Sequence, residues 1–445
     1  MNILHKATRI DLFNLQTPQM RAFHMTWFAF FLCFFGWFGI APLMAIVRED
    51  LMLTKAQIGN IIIASVAITV LVRLLIGPLC DKFGARLTYT WLLILGSRPV
   101  MSIGLAQSYE SFLLFRLAIG AIGASFVITQ YHTSMMFAPN CVGTANATTA
   151  GWGNLGGGVT QMVMPLIFAA FLILGVDQFM SWRVAMIIPG AVLLLTGIAY
   201  YFFTQDAPEG NYSELRAQGK MAPRSDKEFG SFSAAAKDYR VWALFVIYAA
   251  CFGIELTLNN VAALYFHDRF HLDVKTAGLI AGLFGLMNIF ARTLGGVFSD
   301  QVAKTSGLKG RVWFLGTVLL LEGMALVVFS RMPMLGIAVI AMMIFSLFVQ
   351  MSEGATYGIV PFINKKAVGP VAGIVGAGGN AGAVAAGFLF RIESMATQDA
   401  LLILGILVAV SSSLALLVRF SPAVEAEEQA AFAEALQQRE ALAAI

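Results

Sequence analysis

Stretches of about 20 predominantly apolar residues recur along the whole chain and are separated by short polar segments. An apolar helix of that length spans the roughly 30 Å hydrocarbon core of a bilayer. Twelve such stretches can be counted in the 445 residues. Only 12% of the residues are charged, about half the share of a soluble domain, so they cannot cover a soluble surface. The sequence therefore predicts an all-α membrane protein with twelve transmembrane helices.

The twelve stretches divide into two sets of six, which predicts two pseudo-symmetric six-helix bundles. The predicted domains are an N-terminal bundle (1–203), a cytoplasmic central loop (204–240), a C-terminal bundle (241–420) and a cytoplasmic tail (421–445). The predicted spans are 26–47, 58–77, 87–106, 111–136, 143–172, 183–203, 241–265, 275–298, 312–330, 333–351, 368–390 and 401–418.

The placement of Lys and Arg predicts the orientation. An even number of spans puts both termini on one side, and the loops of that side carry roughly twice as many basic residues as the others. Because basic loops stay in the cytoplasm, both termini and the central loop are expected there, in a multi-pass protein of the cytoplasmic (inner or plasma) membrane. The first residues lack an apolar core and a cleavage site, so no removable signal peptide is expected.

A motif in the second predicted span recurs in the eighth. Arg73, Gly77 and Asp81 follow one another at intervals of four, and the same residue types recur at the same spacing from Arg292 to Asp300. A charge inside an apolar span costs at least about 2.5 kcal/mol unless it is paired or faces a cavity. Two arginines at symmetric positions indicate a shared central cavity, and the planar guanidinium suits a small planar oxyanion. A structural ion pair is the alternative for each.

A second repeat places Asn154 and Asn380 at matched positions in glycine-rich spans. Two interpretations remain open: glycines that allow close helix packing, or amides that also contact the anion. The first segment fits GxGxxG by letter, but it lies inside an apolar span, so dinucleotide binding is rejected. The signature glycines are Gly151, Gly153, Gly156, Gly376, Gly378, Gly379 and Gly382.

Acidic residues in the second half are candidates for proton coupling. Glu255, Glu322 and Glu353 lie inside or near apolar spans, where carboxyl groups can carry protons. Ion pairing with a buried arginine is the alternative for each. On the cytoplasmic side, Asp81 and Arg86 lie in a predicted tight loop, and with Asp300 they are candidates for a gate. No nucleotide, metal or nucleophile motif is present, so neither an enzyme nor a cofactor is expected.

Several segments resemble a known family. GPLCDKFGAR (77–86) resembles the loop signature of the major facilitator superfamily. AGWGNLGGG (150–158) and GAGGNAG (376–382) resemble the paired signatures of its nitrate/nitrite porter family, nearest the high-affinity nitrate transporter branch. The resemblance implies that Arg73 and Arg292 bind nitrate and that Tyr248 lies in the pocket. The central loop and tails are shorter than those of plant members, which leaves the need for an accessory subunit open.

These observations predict proton-coupled import of nitrate, with nitrite as a further possibility, by alternating access. Moving an anion into a negative interior costs about 2.3 kcal/mol per 100 mV, so uptake requires co-transported cations. Electroneutral nitrate/nitrite exchange is the alternative, and a non-transporting nitrate sensor is a remote one. The expected partners are the anion, protons and the bilayer, without nucleic acid.

Overall fold

The computed structural model describes residues 6–137, 141–220, 228–364, 368–426 and 429. Within these ranges the chain is helical, and it contains isolated β-bridges but no β-strand. The predicted all-α membrane fold is therefore confirmed. The prediction for the tail beyond residue 426 lies, except for residue 429, outside the described residues.

The first half and the central segment contain the helices α1 to α11. They are α1 (Pro18–Phe38), α2 (Met44–Asp50), α3 (Lys55–Phe83), α4 (Ala85–Ser102), α5 (Tyr109–Gly120), α6 (Ser125–Met136), α7 (Val142–Ile173), α8 (Gln178–Ala185), α9 (Ile187–Phe203), α10 (Tyr212–Ala217) and α11 (Glu228–Ala236). The last two lie in the predicted central loop, which is therefore partly helical.

The second half contains the helices α12 to α18. They are α12 (Tyr239–Phe270), α13 (Val274–Leu286), α14 (Ala291–Ser330), α15 (Leu335–Tyr357), α16 (Val360–Ile363), α17 (Val368–Arg391) and α18 (Thr397–Ser411).

Ten helical segments of the described chain are long and apolar enough to cross a membrane. Two features reconcile this number with the twelve predicted spans. The segment Val274–Ser330 contains two predicted spans, which a non-helical residue, Gly307, separates. The predicted third span is α4, which carries Arg86 and Arg98 and is not among the ten.

Local side-chain chemistry sets several helix starts. Thr17 accepts a hydrogen bond from the amide of Met20 at the start of α1, where proline takes the first helical position. At the start of α13, the Asp273 carboxylate accepts hydrogen bonds from the side chain of Thr276 and from the first free amides of the helix. The hydrogen bond from Thr276 lowers the pKa of Asp273.

The predicted loop between Asp81 and Arg86 is wrong, because α3 continues to Phe83 and α4 begins two residues later. The whole turn is Gly84, whose φ of 88° is available mainly to glycine. Its neighbour in space is Asp206, which accepts a hydrogen bond of 2.7 Å from the backbone amide of Arg86. A Cβ at position 84 would overlap with that carboxylate.

The predicted eighth span is interrupted. α13 ends at Leu286, a 3-10 turn covers Met287–Ile289, and α14 begins at Ala291. Arg292 therefore lies in the first turn of a new helix, whereas Arg73 lies in the interior of α3. The two arginines thus share the spacing of their motif, but they occupy different positions in their helices.

The chain forms two compact units that do not follow the two predicted halves. Unit 1 comprises Met1–Ser225, Leu256–Ile289 and Ala383–Thr397, and unit 2 comprises Asp226–Glu255, Phe290–Gly382 and Gln398–Ile445. Unit 1 therefore combines first-half helices with the second part of α12, all of α13 and the end of α17. The domain boundaries stated from sequence stay predictions.

Candidate functional site

Arg292 is the centre of a buried polar cluster in unit 2. Its Nη1 lies 2.6 Å from Oε2 of Glu353, and its Nη2 donates a hydrogen bond of 3.0 Å to the hydroxyl of Tyr248. The Arg292 side chain is 9% exposed and that of Glu353 is fully buried. The guanidinium thus has one anionic and one neutral partner.

Small residues place these groups in contact. α14 and α15 cross so closely that a Cβ on Gly354 would overlap with the backbone oxygen of Arg292, and one on Gly295 would overlap with that of Met351. Because Gly354 follows Glu353 in the chain, the same close crossing brings the carboxylate to the guanidinium. Sequence analysis did not single out Gly354 for this role.

Aromatic rings form one side of the cluster. Tyr248 stacks on Phe252 at 5.3 Å between ring centroids and meets Tyr357 edge-on at 5.2 Å. A Cβ on Gly376 would lie 3.0 Å from the hydroxyl of Tyr357. Tyr248 is thus placed beside Arg292, as its predicted role requires, and Tyr357 is a neighbour that the sequence analysis did not single out.

The three predicted proton carriers are all fully buried in unit 2. Glu353 interacts with the carboxyl group of Glu255 as well as with Arg292. Glu322 lies beside the hydroxyl of Ser352. Glu353 therefore has the carboxyl groups of Glu255 and Glu322 and the guanidinium of Arg292 as charged neighbours in the described structure. The ion-pair alternative therefore holds for Glu353, and a role of the three acids in proton coupling stays a prediction.

Arg73, in unit 1, has a different environment. Its side chain is half-buried, its Nη2 lies 3.4 Å from the carbonyl oxygen of Gly123, and its guanidinium carbon lies 5.5 Å from the ring centroid of Phe126. A Cβ on Gly77, one turn later in α3, would meet no atom within 4 Å. The same is true of Gly296 after Arg292. Both motif glycines therefore face open space.

The side-chain amides of Asn154 and Asn380 are buried, at 1% and 0% exposure. Neither the oxygen nor the nitrogen of either amide has a hydrogen-bond partner in the described part of the chain. Leaving a buried polar group unpaired costs about 1–3 kcal/mol. Amides held in this way at repeated positions are suited to receive a polar ligand.

The signature glycines provide packing in both halves. In α7, a Cβ on Gly153 would overlap with the ring of Phe30, and one on Gly156 would overlap with the backbone of α1. In α17, a Cβ on Gly379 would overlap with the ring of Phe252, and one on Gly382 would overlap with the backbone of α12. The same helix crossing therefore occurs once in each unit.

The remaining signature glycines also lie at close contacts. A Cβ on Gly378 would overlap with the carbonyl oxygen of Phe245, and one on Gly151 would lie 3.3 Å from the carbonyl oxygen of Asn288. The packing interpretation of the glycines and the ligand interpretation of the asparagines are compatible, because different residues carry them.

The predicted gate residues are held by separate contacts. Arg86 lies over the ring of Tyr201, with 4.5 Å between the guanidinium carbon and the ring centroid. Asp300 forms an ion pair of 2.5 Å with Arg311. Asp81 belongs to α3, but its side chain lies outside the described structure. A role of these residues in gating stays a prediction.

Comparison with known proteins identifies the chain's relatives. Residues 26–385 match the family model described as Major Facilitator Superfamily. "High affinity nitrate transporter 2.5" of Arabidopsis thaliana is 40% identical over 94% of this chain and 83% of its own length. "High-affinity nitrate transporter 2.3" of Oryza sativa subsp. japonica is 42% identical over 86% of this chain and 74% of its own length. "Nitrate/nitrite transporter NrtP" of a Picosynechococcus strain is 32% identical over 82% of this chain and 84% of its own length.

Solved structures share the fold. A bacterial homologue of the human lysosomal transporter Spinster matches with a TM-score of 0.71 and 17% identity over 92% of this chain and 99% of that one. The nucleoside transporter NupG matches with a TM-score of 0.66 and 15% identity over 89% and 99%.

Proposed function

Because the chain belongs to the Major Facilitator Superfamily and is a relative of its high-affinity nitrate transporters, we propose that it imports nitrate, with nitrite as a further substrate, by alternating access. The chain is a multi-pass membrane transporter and not an enzyme. We place it in the cytoplasmic membrane, with both termini in the cytoplasm as the basic loops predict. The observation that carries the proposal is the buried guanidinium of Arg292, which already holds one planar oxyanion group, the carboxylate of Glu353.

The surroundings of Arg292 favour an anion in three ways. The guanidinium presents a planar fork of N–H donors that matches a planar oxyanion. The hydroxyl of Tyr248 is a neighbouring hydrogen-bonding group. Arg292 also lies in the first turn of α14, where free amides and the helix dipole add positive potential. Arg73 and the unpaired amide of Asn154 are the corresponding groups of the first half.

We propose that the anion and Glu353 compete for Arg292. When nitrate binds the guanidinium, Glu353 loses its counter-charge. A carboxylate buried among apolar groups without a partner is strongly disfavoured, so Glu353 takes up a proton. Binding of the anion thereby draws in a proton, and by linkage a proton on Glu353 strengthens anion binding by the same factor. Glu255 and Glu322 are the neighbouring groups through which a proton can reach or leave Glu353.

This coupling meets the energetic requirement. An inside-negative potential of 100 mV opposes the entry of nitrate by about 2.3 kcal/mol. One co-transported proton makes the cycle electroneutral and a second makes it favourable. Exchange for internal nitrite is the second candidate, because it is electroneutral without a proton.

The test uses purified protein reconstituted in vesicles that contain a pH indicator. Adding external nitrate should acidify the interior and carry net positive charge inward, and adding sulfate at the same concentration should do neither. If uptake is electrically silent, insensitive to pH and dependent on internal nitrite, exchange replaces symport. If nitrate binds but neither nitrate nor nitrite is transported, the protein is a sensor. If neither anion binds, the proposal is wrong.

A further inference from the structure

Arg48 and Asp268 form another arginine–carboxylate pair, outside the motifs discussed above. Arg48 is in α2, directly after the C-terminal end of the first predicted span (26–47), and Asp268 is in the last turn of α12. The two guanidinium nitrogens donate to the two carboxylate oxygens at 2.6 and 2.7 Å. Both residues belong to unit 1.

The geometry of this pair resembles that of a bound planar anion. A guanidinium that donates two parallel N–H bonds recognises two coplanar oxygens with a shared negative charge. A carboxylate provides such oxygens, and so does nitrate. Building on the proposed function and its orientation, we propose that Arg48 is an outer capture site for the transported anion, and that the Asp268 carboxylate occupies this site when the anion is absent.

The space beside the pair supports this assignment. Arg48 and Asp268 line a cavity of about 260 Å³ together with Lys55, Asn260 and Tyr265. The volume is several times the roughly 30 Å³ that one water molecule occupies in the liquid. Two cationic side chains and one carboxylate line the cavity, so its lining carries a net positive charge and provides polar groups for a small anion.

The exposure of the pair indicates that the carboxylate can be displaced. The side chains of Arg48 and Asp268 are 30% and 42% exposed, so water and salt screen the pair, although its bidentate geometry makes it stronger than most exposed ion pairs. An external anion therefore has a weaker competitor at Arg48 than it would have at a buried arginine. The buried pair between Arg292 and Glu353 is the opposite case, because both of its members are almost completely removed from water.

A plain structural latch is the rival explanation, and the direction of mutational effects separates the two. Asp268→Asn removes the competing carboxylate and leaves Arg48, so it should lower the external nitrate concentration for half-maximal uptake. Arg48→Gln removes the recognising group, so it should raise that concentration. A latch would be broken equally by either change, and both variants would then shift the value in the same direction.

The measurement is initial nitrate uptake by intact cells that express the full chain, as a function of external nitrate. We expect shifts of about threefold to fivefold in opposite directions, which correspond to about 0.7–1 kcal/mol. The matched control is Asp399→Asn, which breaks another exposed ion pair, that of Arg331 and Asp399 at 2.9 Å, and should leave the value unchanged. If Arg48→Gln does not fold, Arg48→Lys is used instead. Lysine keeps the charge without the planar fork, so this variant should also raise the nitrate concentration for half-maximal uptake.

Two outcomes would overturn the capture site: shifts in the same direction for Asp268→Asn and Arg48→Gln, or shifts no larger than that of the control. Either result leaves the proposed function intact provided that the unmodified protein takes up nitrate. Absence of nitrate uptake by the unmodified protein would instead contradict the proposed function itself, so the two failures are distinguishable.

Discussion

Replacing Glu353 by Gln tests the competition at Arg292 directly. The amide keeps the size of the side chain but cannot carry the charge that neutralises the guanidinium. Removing one partner of a buried ion pair destabilises a protein by about 3–5 kcal/mol, because the other charge is left uncompensated. We therefore expect a less stable protein in the absence of anions, with Arg292 free to accept one.

The size of the effect on binding follows from the same pair. In the wild type, nitrate must displace the Glu353 carboxylate, whereas in Glu353→Gln it meets no such competitor. If only half of the lost 3 kcal/mol returns as anion affinity, the dissociation constant falls by about tenfold. Because the wild type takes up one proton with each anion, its nitrate binding should also become about tenfold tighter per unit decrease in pH while Glu353 is ionised in the anion-free protein. The variant should lack that dependence.

The assay is thermal unfolding of the purified protein at several nitrate concentrations and two pH values. Nitrate at one hundred times its dissociation constant should stabilise either protein by about 2.7 kcal/mol. Glu322→Gln is the matched control, because Glu322 is equally buried but forms no ion pair with Arg292 in the described structure; its nitrate affinity should stay at the wild-type level. Weaker nitrate binding by Glu353→Gln, with the pH dependence retained, would refute the competition.

Three further predictions concern the two motif arginines, anion selectivity and Gly354. Arg73→Lys and Arg292→Lys should each reduce nitrate uptake to near background while the protein still elutes as a folded species, because lysine lacks the planar fork; near-normal uptake would contradict the anion site. Sulfate and phosphate should not compete with nitrate uptake, whereas nitrite and chlorate should, because a dianion requires more desolvation and more donors; strong inhibition by equimolar sulfate would argue against it. Gly354→Ala should lower the unfolding temperature and impair uptake, because its Cβ would overlap with the Arg292 backbone, whereas Gly296→Ala, whose Cβ faces open space, should be tolerated in the same unfolding and uptake measurements.

The features that the sequence predicted are those that local composition determines. The apolar stretches predicted the membrane helices, because crossing a bilayer requires a continuous apolar segment. Arg73 and Arg292 could be selected because a charge in such a segment is costly and both carry the same motif. Neither inference depends on how distant parts of the chain come together.

The features that sequence analysis missed depend on distant partners. α3 continues to Phe83 because the reversal is completed at Gly84 and held by Asp206, more than a hundred residues later. Which of the three acids pairs with Arg292 is decided by the crossing of α14 and α15 at Gly354. Periodicity and composition do not specify such a crossing.

The two halves share their packing and differ in their electrostatics. The same glycine-mediated crossing holds α7 on α1 and α17 on α12, so the duplicated scaffold is retained in both. Arg73 lies in an uninterrupted helix against the face of Phe126, which stabilises a cation without neutralising it. Arg292 begins a helix after a break and is paired with a carboxylate. Under the proposed function, an anion that binds Arg292 displaces the titratable carboxylate of Glu353, and this displacement is the step that would couple anion binding to uptake of a proton.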